Sequence, residues 1–493
     1  MSLESETIVE CKCDSCIKVR YNIKQIFLVL DVYGWLLDSY IVDFFLEDLW
    51  SKLPGEWQRT LDSVTPCELG KWILGESGTR VWPLSLIALR QVIRKLEINR
   101  NHNEREAIKC RGRENGGVSD VNYFSTGKIN SVNSSSNLNQ NLKPKFDKLF
   151  IKHVKTKKRY EIEKIAKILN DCTSKTNCTC VVDIGAGVGH LSRVLAFKYG
   201  LNVICIEQDS TLTNQAKKYD NELSASMEKY KFASSGKIDH VSMTVTANNS
   251  GEHVINDLVT NFANGSIKKL KTEEFGIIGL HPCGDLATTL LRLYSSCEKA
   301  KFICIVGCCY MKLTLRNDEN NLKGYPMSKH VSLMCNNKLS FNALEVACHA
   351  VEKHCEKLKS DNYTDLVVHT YRAVLEYILV AKSPKLRRIQ VKSVKVKEGM
   401  SFEQYCKSAI ENFEFENQPE LSSFTQSNIC EFLKKSKRVL IFNSLRLMLA
   451  PLVETCILLD RFLFLSEKGL IPSLKAEFDC KLSPRNFVLT STK

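Results

Sequence analysis

The sequence predicts an α/β protein built on a Rossmann-like sheet of seven strands, closed by an antiparallel C-terminal hairpin and accompanied by an N-terminal helical region and helical insertions. Three observations predict it. First, residues 156–207 run in the order helix, short apolar strand (CVVDIG), glycine-rich turn, helix, second strand (NVICIEQD). That alternation belongs to parallel sheets with crossover helices. Second, the later apolar runs FGIIGLHPCGD and KFICIVGCCYM end in glycine and polar residues, as strands do when their tips border a cleft. Third, two short strand-like runs, KAEFDCKL and NFVLTSTK, flank Ser483-Pro484-Arg485 at the C-terminus.

Along the chain, residues 20–100 carry apolar residues at helical spacing, punctuated by Pro54-Gly55 and Pro83, and form the N-terminal helical region, 1–100. Residues 101–142 turn polar, with the low-complexity run SVNSSSNLNQN, and are expected to be a disordered linker. Lys143 to Arg159 holds eight Lys/Arg residues against one acid, Asp147. It opens the main domain, expected to span 143–493. HVSMTVTA supplies a third strand, and the two apolar runs above a fourth and a fifth. A helical insertion or lid is expected at about 325–470, and the alternating RRIQVKSVKVK of 385–397 reads as an exposed strand or arm.

Composition narrows the function classes. The chain has 493 residues, 44% hydrophobic and 25% charged, with a net charge of +14, ordinary for a soluble protein and biased toward polyanionic partners such as RNA. Two apolar stretches could pass for membrane spans. One, 26–50, carries Asp31, Asp38, Asp43, Glu47 and Asp48; the other, 438–465, carries Arg446, Glu454, Asp460 and Arg461. Central charges in a bilayer cost about 2.5–3.5 kcal/mol each on insertion scales, so no membrane partner is expected. The 21 cysteines and the absence of a secretory leader point to free thiols in a cytoplasmic or nuclear setting.

The strongest signal is VVDIGAGVGHLSRVLA, 181–196. Asp183 closes a strand, Gly185, Gly187 and Gly189 make the turn, and a helix begins near His190. Glycine permits the unusual backbone angles and the close ligand approach such a turn needs. Dinucleotide sites space their glycines G-x-G-x-x-G beside a pyrophosphate. Here the spacing is G-x-G-x-G behind an acid, which suits a cationic sulfonium cofactor, S-adenosyl-L-methionine (AdoMet). Glu207, 22 residues after Gly185 and at the end of the second strand, can accept both ribose hydroxyls. The sheet is therefore expected to be that of a class I methyltransferase.

Ligands of open α/β sheets bind outside the carboxyl ends of the strands. GLHPCGDL (279–286) and GCCYM (307–311) should then face the cleft, with Cys283 on the cofactor side and His281, Asp285, Cys308 and Tyr310 as catalytic candidates. Asp285 or His281 could orient or deprotonate a nucleophile. No metal is expected. Cys11, Cys13 and Cys16 form a cluster without an obvious fourth ligand, and Cys348, His349, His354 and Cys355 on one helix cannot converge.

Together VVDIGAGVGHLSRVLA, GLHPCGDL, VGCCYMKLT, GYPMS, YRAVLE and SPRNFVL resemble the methyltransferase-like protein 25 family, which includes the ribosomal RNA adenine dimethylase domain-containing protein. The resemblance runs from about residue 20 to the C-terminus outside the linker, and implies a class I AdoMet-dependent methyltransferase. The HPCG and GCC elements are also similar to tRNA 2′-O-methyltransferases that carry H-x-C-G. This chain departs from the family where Val188 replaces the usual Lys of the glycine turn and where Pro282 stands inside H-x-C-G. The family's M-S-x-K-K-x-x-E-I reads VKTKKRYEI here, keeping Glu161 and the pair Lys157-Lys158, placed by the resemblance over the cofactor mouth.

The expected function is methyl transfer to a macromolecule, RNA or ribonucleoprotein or a protein side chain. Adenine-N6 chemistry is not expected, since no N-P-P tetrad occurs; Pro282-Cys283 is similar to the nucleophile pair of cytosine-C5 enzymes but lies outside the family's pattern. The rival is a non-catalytic AdoMet- or RNA-binding scaffold with a degenerate methyltransferase fold. The oligomeric state is left open.

Overall fold

The computed structural model describes residues 10–103, 106–112, 150, 152–230, 236–246, 249–264, 273–315, 322–360, 363–414, 419–424 and 426–493. The chain divides into two units, one of residues 1–23, 99–335 and 457–493, the other of 24–98 and 336–456.

The first unit is built on one eight-stranded sheet. Its strands are β1 (Ile108–Lys109), β2 (Cys180–Ile184), β3 (Asn202–Glu207), β4 (Ile238–Ser242), β5 (Phe275–Cys283), β6 (Ala300–Cys308), β7 (Ile471–Ala476) and β8 (Phe487–Thr492). Their order is β1-β7-β8-β6-β5-β2-β3-β4. The pairs β2–β3, β2–β5, β3–β4 and β5–β6 are parallel, while β6–β8, β7–β8 and β1–β7 are antiparallel. Seven strands have the order of a class I methyltransferase sheet with its C-terminal hairpin. The eighth, β1, is an added edge of two residues. Of the expected linker 101–142, Ile108–Lys109 form this edge and 113–142 lie outside the described residues.

The parallel strands are apolar because helices cover both faces. Every residue of β2 is buried, and all of β6 but Lys301. The helix Thr156–Thr176 lays Ile162, Ile165, Ala166 and Leu169 on this sheet, where they join Val181, Leu195, Val203, Ile278, Phe302, Cys304, Phe478 and Val488 in one core. Between β2 and β5 the strand order reverses, which opens the crevice where such sheets bind ligands.

The second unit is helical. The helices Gly55–Ser63, Pro66–Leu74 and Leu84–Leu96 begin after Pro54, at Thr65-Pro66 and after Pro83, the punctuation visible in the sequence. Thr65 and Glu68 form a reciprocal capping box. A separate core gathers Val374, Leu375, Leu379, Phe402, Tyr405, Cys406 and Ile429. The segment 385–397 forms no strand: it carries a short 3-10 turn, Pro384–Leu386, and then irregular backbone whose Val391, Val394 and Val396 lean on that core. Arg387 and Arg388 are held instead by the buried Asp43 carboxylate. Among the described residues, no helix is long and apolar enough to cross a membrane.

Candidate functional site

Four strand tips converge at the crevice. β2 runs into the turn Gly185–Gly189, whose three glycines all have positive φ: +76° at Gly185, +57° at Gly187 and +69° at Gly189. L-residues pay a steric penalty in this region, which is why the sequence spends glycine here. The turn is braced from below. Arg193 donates to the Val188 carbonyl at 2.6 Å and to Asp220 at 2.8 Å, and His240 Nε2 meets the same carboxylate at 2.6 Å. A Cβ on Gly189 would lie 2.9 Å from that His240 ring, and one on Gly185 would lie 3.0 Å from Leu286. A Cβ on Gly187 would meet nothing within 4 Å. Its amide, however, donates to Glu207 Oε2 at 2.9 Å, so the second acidic candidate is held against the turn. The other oxygen accepts from the Asp209 amide at 3.2 Å. Glu207 is half-buried and available to hydroxyl donors.

Asp183 is almost fully buried and accepts from Ser192 Oγ at 2.5 Å. Burial holds its carboxyl up at about 6, against the opposing pull of Ser192 and of the Lys158 charge. It ties β2 to the helix His190–Arg193 and so fixes the turn, rather than offering an open anchor. His190, at the start of that helix, is held down at about 4 by burial and by neighbouring Arg193, so its imidazole is neutral near pH 7.

Lys157 and Lys158 divide their roles. Lys157 is exposed and bridges to Glu161 at 3.5 Å. Lys158 is half-buried, its ammonium lowered by burial against the charges of Glu161 and Asp183, with Cys308 also in its field. It is thus within electrostatic reach of Asp183 and Cys308 at the strand tips.

The β5 tip is irregular. Its pairing with β6 shifts between Leu280 and Cys283, and His281 sits at φ +70° inside the irregularity. Such bulges re-aim side chains beside active sites. His281 Nε2 is 3.1 Å from Glu161, a carboxylate 1% exposed that also accepts from Ser483 Oγ at 2.7 Å. Burial works to raise the Glu161 carboxyl. The His281 hydrogen bond and charge, with Ser483 and Lys157, outweigh it and hold it at about 2. Because this folded value lies below the ordinary 4.5, the group's stabilisation is full above pH 4.5 and is lost as pH falls toward 2. His281→Ala should thus destabilise the protein by about 1–3 kcal/mol at neutral pH, the cost of an under-partnered buried carboxylate. In thermal melts the deficit should narrow below pH 4.5; a pH-independent deficit would show that Glu161 is not the cause.

Cys283 is exposed beside two other thiols, 3.5 Å from Cys308 Sγ and 3.4 Å from Cys309 Sγ. Cys308 is buried, its thiol pushed well up by that burial. The Cys308 thiol lies 3.4 Å from the His281 carbonyl, to which it donates. Asp285 is not a free base. Its carboxylate accepts from the Thr314 amide at 3.0 Å and from the Thr314 hydroxyl, and a Cβ on Gly324 would strike it. It clamps the segment after β6 instead. Tyr310, expected in the cleft, is 1% exposed. Cys309 at φ +51° starts a 3-10 turn that carries Tyr310 inward, between the guanidinium groups of Arg461 (5.7 Å) and Arg485 (5.5 Å). Ser192, Ser483, Thr314, Arg461 and Arg485 also build the site, through contacts with Asp183, Glu161, Asp285 and Tyr310 that the sequence does not announce. SPRNFVL signalled Ser483 and Arg485 only as part of a motif.

Residues 157–316 match the family described as "Methyltransferase domain". The chain is 28% identical over 235 residues to the mouse protein named "Probable methyltransferase-like protein 25", covering 45% of this chain and 38% of that protein. It is 30% identical over 244 residues to the human protein of the same name, covering 45% and 37%. The chain thus spans less than two-fifths of the length of these curated relatives. A solved plantazolicin methyltransferase, BamL, in complex with triazolic desmethylPZN analog and SAH, is 17% identical with a TM-score of 0.19, covering 60% of this chain and 83% of its own; at that score it carries no argument. A methyltransferase domain implies AdoMet as methyl donor, and the open space over Gly187 beside the Glu207 carboxylate fits it. Residues 157–316 thus match a methyltransferase domain, and the chain is similar over 45% of its length to the proteins named probable methyltransferase-like protein 25.

Proposed function

We propose that this chain transfers the methyl group of AdoMet to a macromolecular acceptor, RNA or protein. The observation that carries the reading is the turn itself: three left-handed glycines at the switch point of the sheet, open above Gly187, with Glu207 pinned by the Gly187 amide. Bound there, AdoMet would supply the electrophilic methyl group. Glu207 would accept the ribose hydroxyls, the turn amides would line the donor, and half-buried Lys158 would set the charge of the mouth. Positioning donor and acceptor in line supplies most of the rate for such transfers, so Asp285 and Tyr310 can serve the scaffold without loss of the chemistry.

The macromolecular acceptor is supported by the net charge of +14 and by exposed Lys152, Lys155 and Lys157 in the segment leading into the domain. The twenty-one cysteines, all free, support a reducing cytoplasmic or nuclear setting. Calorimetry with AdoMet and with its demethylated product tests the cofactor. Lys158→Ala should weaken binding about three- to tenfold, the loss of roughly 1 kcal/mol of polar interaction, and Lys157→Ala should leave it unchanged. The reverse ranking would reassign the pair. Mass spectrometry of RNA and of protein from cells with and without the gene then identifies the acceptor. Absence of AdoMet binding by the folded protein would favour the scaffold reading.

A further inference from the structure

We infer that Cys11, Cys13, Cys16 and Cys110 form a structural zinc site. The four thiols come from two places. Cys11 and Cys13 precede the helix Asp14–Asp38, Cys16 lies in its first turn, and Cys110 follows directly on β1. All four sulfur atoms lie within 4.8 Å of one another. Cys110 Sγ stands 3.6 Å from Cys11, 4.0 Å from Cys13 and 3.7 Å from Cys16. A tetrahedron of thiolates at a Zn–S distance of about 2.3 Å has sulfur–sulfur edges of about 3.8 Å, so these separations are those of a zinc cage. They are nearly twice a disulfide bond length, about 2.05 Å, and no pair among the four is bonded.

The surroundings suit a thiolate cluster. The Gly112 amide donates to Cys110 Sγ at 3.4 Å, and the Ser466 hydroxyl lies 3.1 Å from Cys16 Sγ and 3.8 Å from Cys110 Sγ. Such N–H and O–H donors stabilise metal-bound sulfur and fix its orientation. Cys11, Cys16 and Cys110 are buried and Cys13 is half-exposed, which leaves no open coordination position for substrate. A closed four-sulfur set is the structural type of zinc site.

The site also answers a packing problem. β1 is two residues long and covers the edge of β7, with Cys110 N bonded to the Pro472 carbonyl at 2.9 Å. So short a ladder cannot hold itself, and an uncovered edge invites pairing with other chains. A metal at Cys110 would fix β1 on the sheet and tie the start of the chain to it, across sequence separations of 94–99 residues. The three-thiol group Cys283, Cys308 and Cys309 belongs to the cleft already described and, among the described residues, offers three ligands.

The experiment is metal analysis of the full chain purified under reducing conditions without added chelator. About one zinc per chain is expected. Cys110→Ser and Cys13→Ser should each lower zinc content at least about fivefold, and Cys335→Ser, elsewhere and exposed, should leave it unchanged. If Cys110→Ser fails to fold, cobalt(II) exchanged into the wild-type protein decides the question. Tetrahedral four-thiolate ligation gives intense visible d–d bands and thiolate charge transfer. Folded wild-type protein without metal, iron in place of zinc, zinc retained by Cys110→Ser, or a cobalt spectrum without thiolate bands would each overturn the assignment.

Discussion

Gly187→Arg should abolish AdoMet binding while leaving the fold nearly intact. The two halves of that expectation have separate causes. A Cβ at 187 meets no neighbour within 4 Å, so the substitution strikes nothing. Its folding cost is the left-handed backbone at φ +57°, about 1–2 kcal/mol for an L-residue. That corresponds to a loss of roughly 2–8 °C in melting temperature for a domain of this size. The same space is where the donor must lie if the turn is its cradle, and an arginine side chain fills it. A hundredfold or greater loss of affinity, about 3 kcal/mol, is expected by calorimetry. Gly189→Arg is the contrasting variant, because its Cβ strikes the His240 ring that Asp220 holds, and it should lose the fold with the ligand. Unchanged AdoMet affinity in a folded Gly187→Arg protein would remove the turn from the binding site.

What the sequence disclosed and what it withheld separate along the distance between partners. Gly185, Gly187 and Gly189 were legible because each reports a local backbone angle, and a backbone angle leaves its mark in the residue that adopts it. Glu207 was legible because a strand of ordinary length fixes its distance from the turn. Of the C-terminal hairpin, the run NFVLTSTK marked β8, but its partner strand starts earlier than KAEFDCKL, at Ile471–Ala476, and residues 477–486 form the connection. Roles set by distant partners were not. Nothing near Glu161 announces that Ser483, 322 residues away, will bond to it. Asp285 has the look of a general base until Thr314 is found across the turn, taking both of its oxygens. Tyr310 stands in a motif at a strand end, yet the left-handed Cys309 turns it inward. Cys110 was hidden in the same way: it sits in a polar stretch that reads as linker, and only the pairing of Ile108–Lys109 with β7 brings it to the other three thiols.

The C-terminal hairpin carries the other large expected effect. Truncation after residue 470 removes β7 and β8 while keeping every residue of the glycine turn, β5 and β6. It should nonetheless yield an insoluble or molten product. β8 lies inside the sheet, between β6 and β7, and bonds along Phe302–Ile305 of β6 through Leu489–Thr492. Without it, the fully buried stretch Phe302–Val306 becomes an open apolar edge, the kind that pairs with other chains. The core also loses Phe478 and Val488 outright, each large-to-small loss of this kind being worth several kcal/mol, about 3–5 for a phenylalanine. The site loses its own parts as well. Ser483 no longer bonds to the buried Glu161, and Arg485 no longer covers Tyr310. Since a whole domain is stable by only about 5–15 kcal/mol, these losses together exceed what it can absorb. Sedimentation, near-ultraviolet circular dichroism and AdoMet calorimetry on the 1–470 fragment test this directly. A soluble fragment with native near-ultraviolet signal and full AdoMet affinity would mean that the sheet closes at β6 and that the hairpin only decorates it.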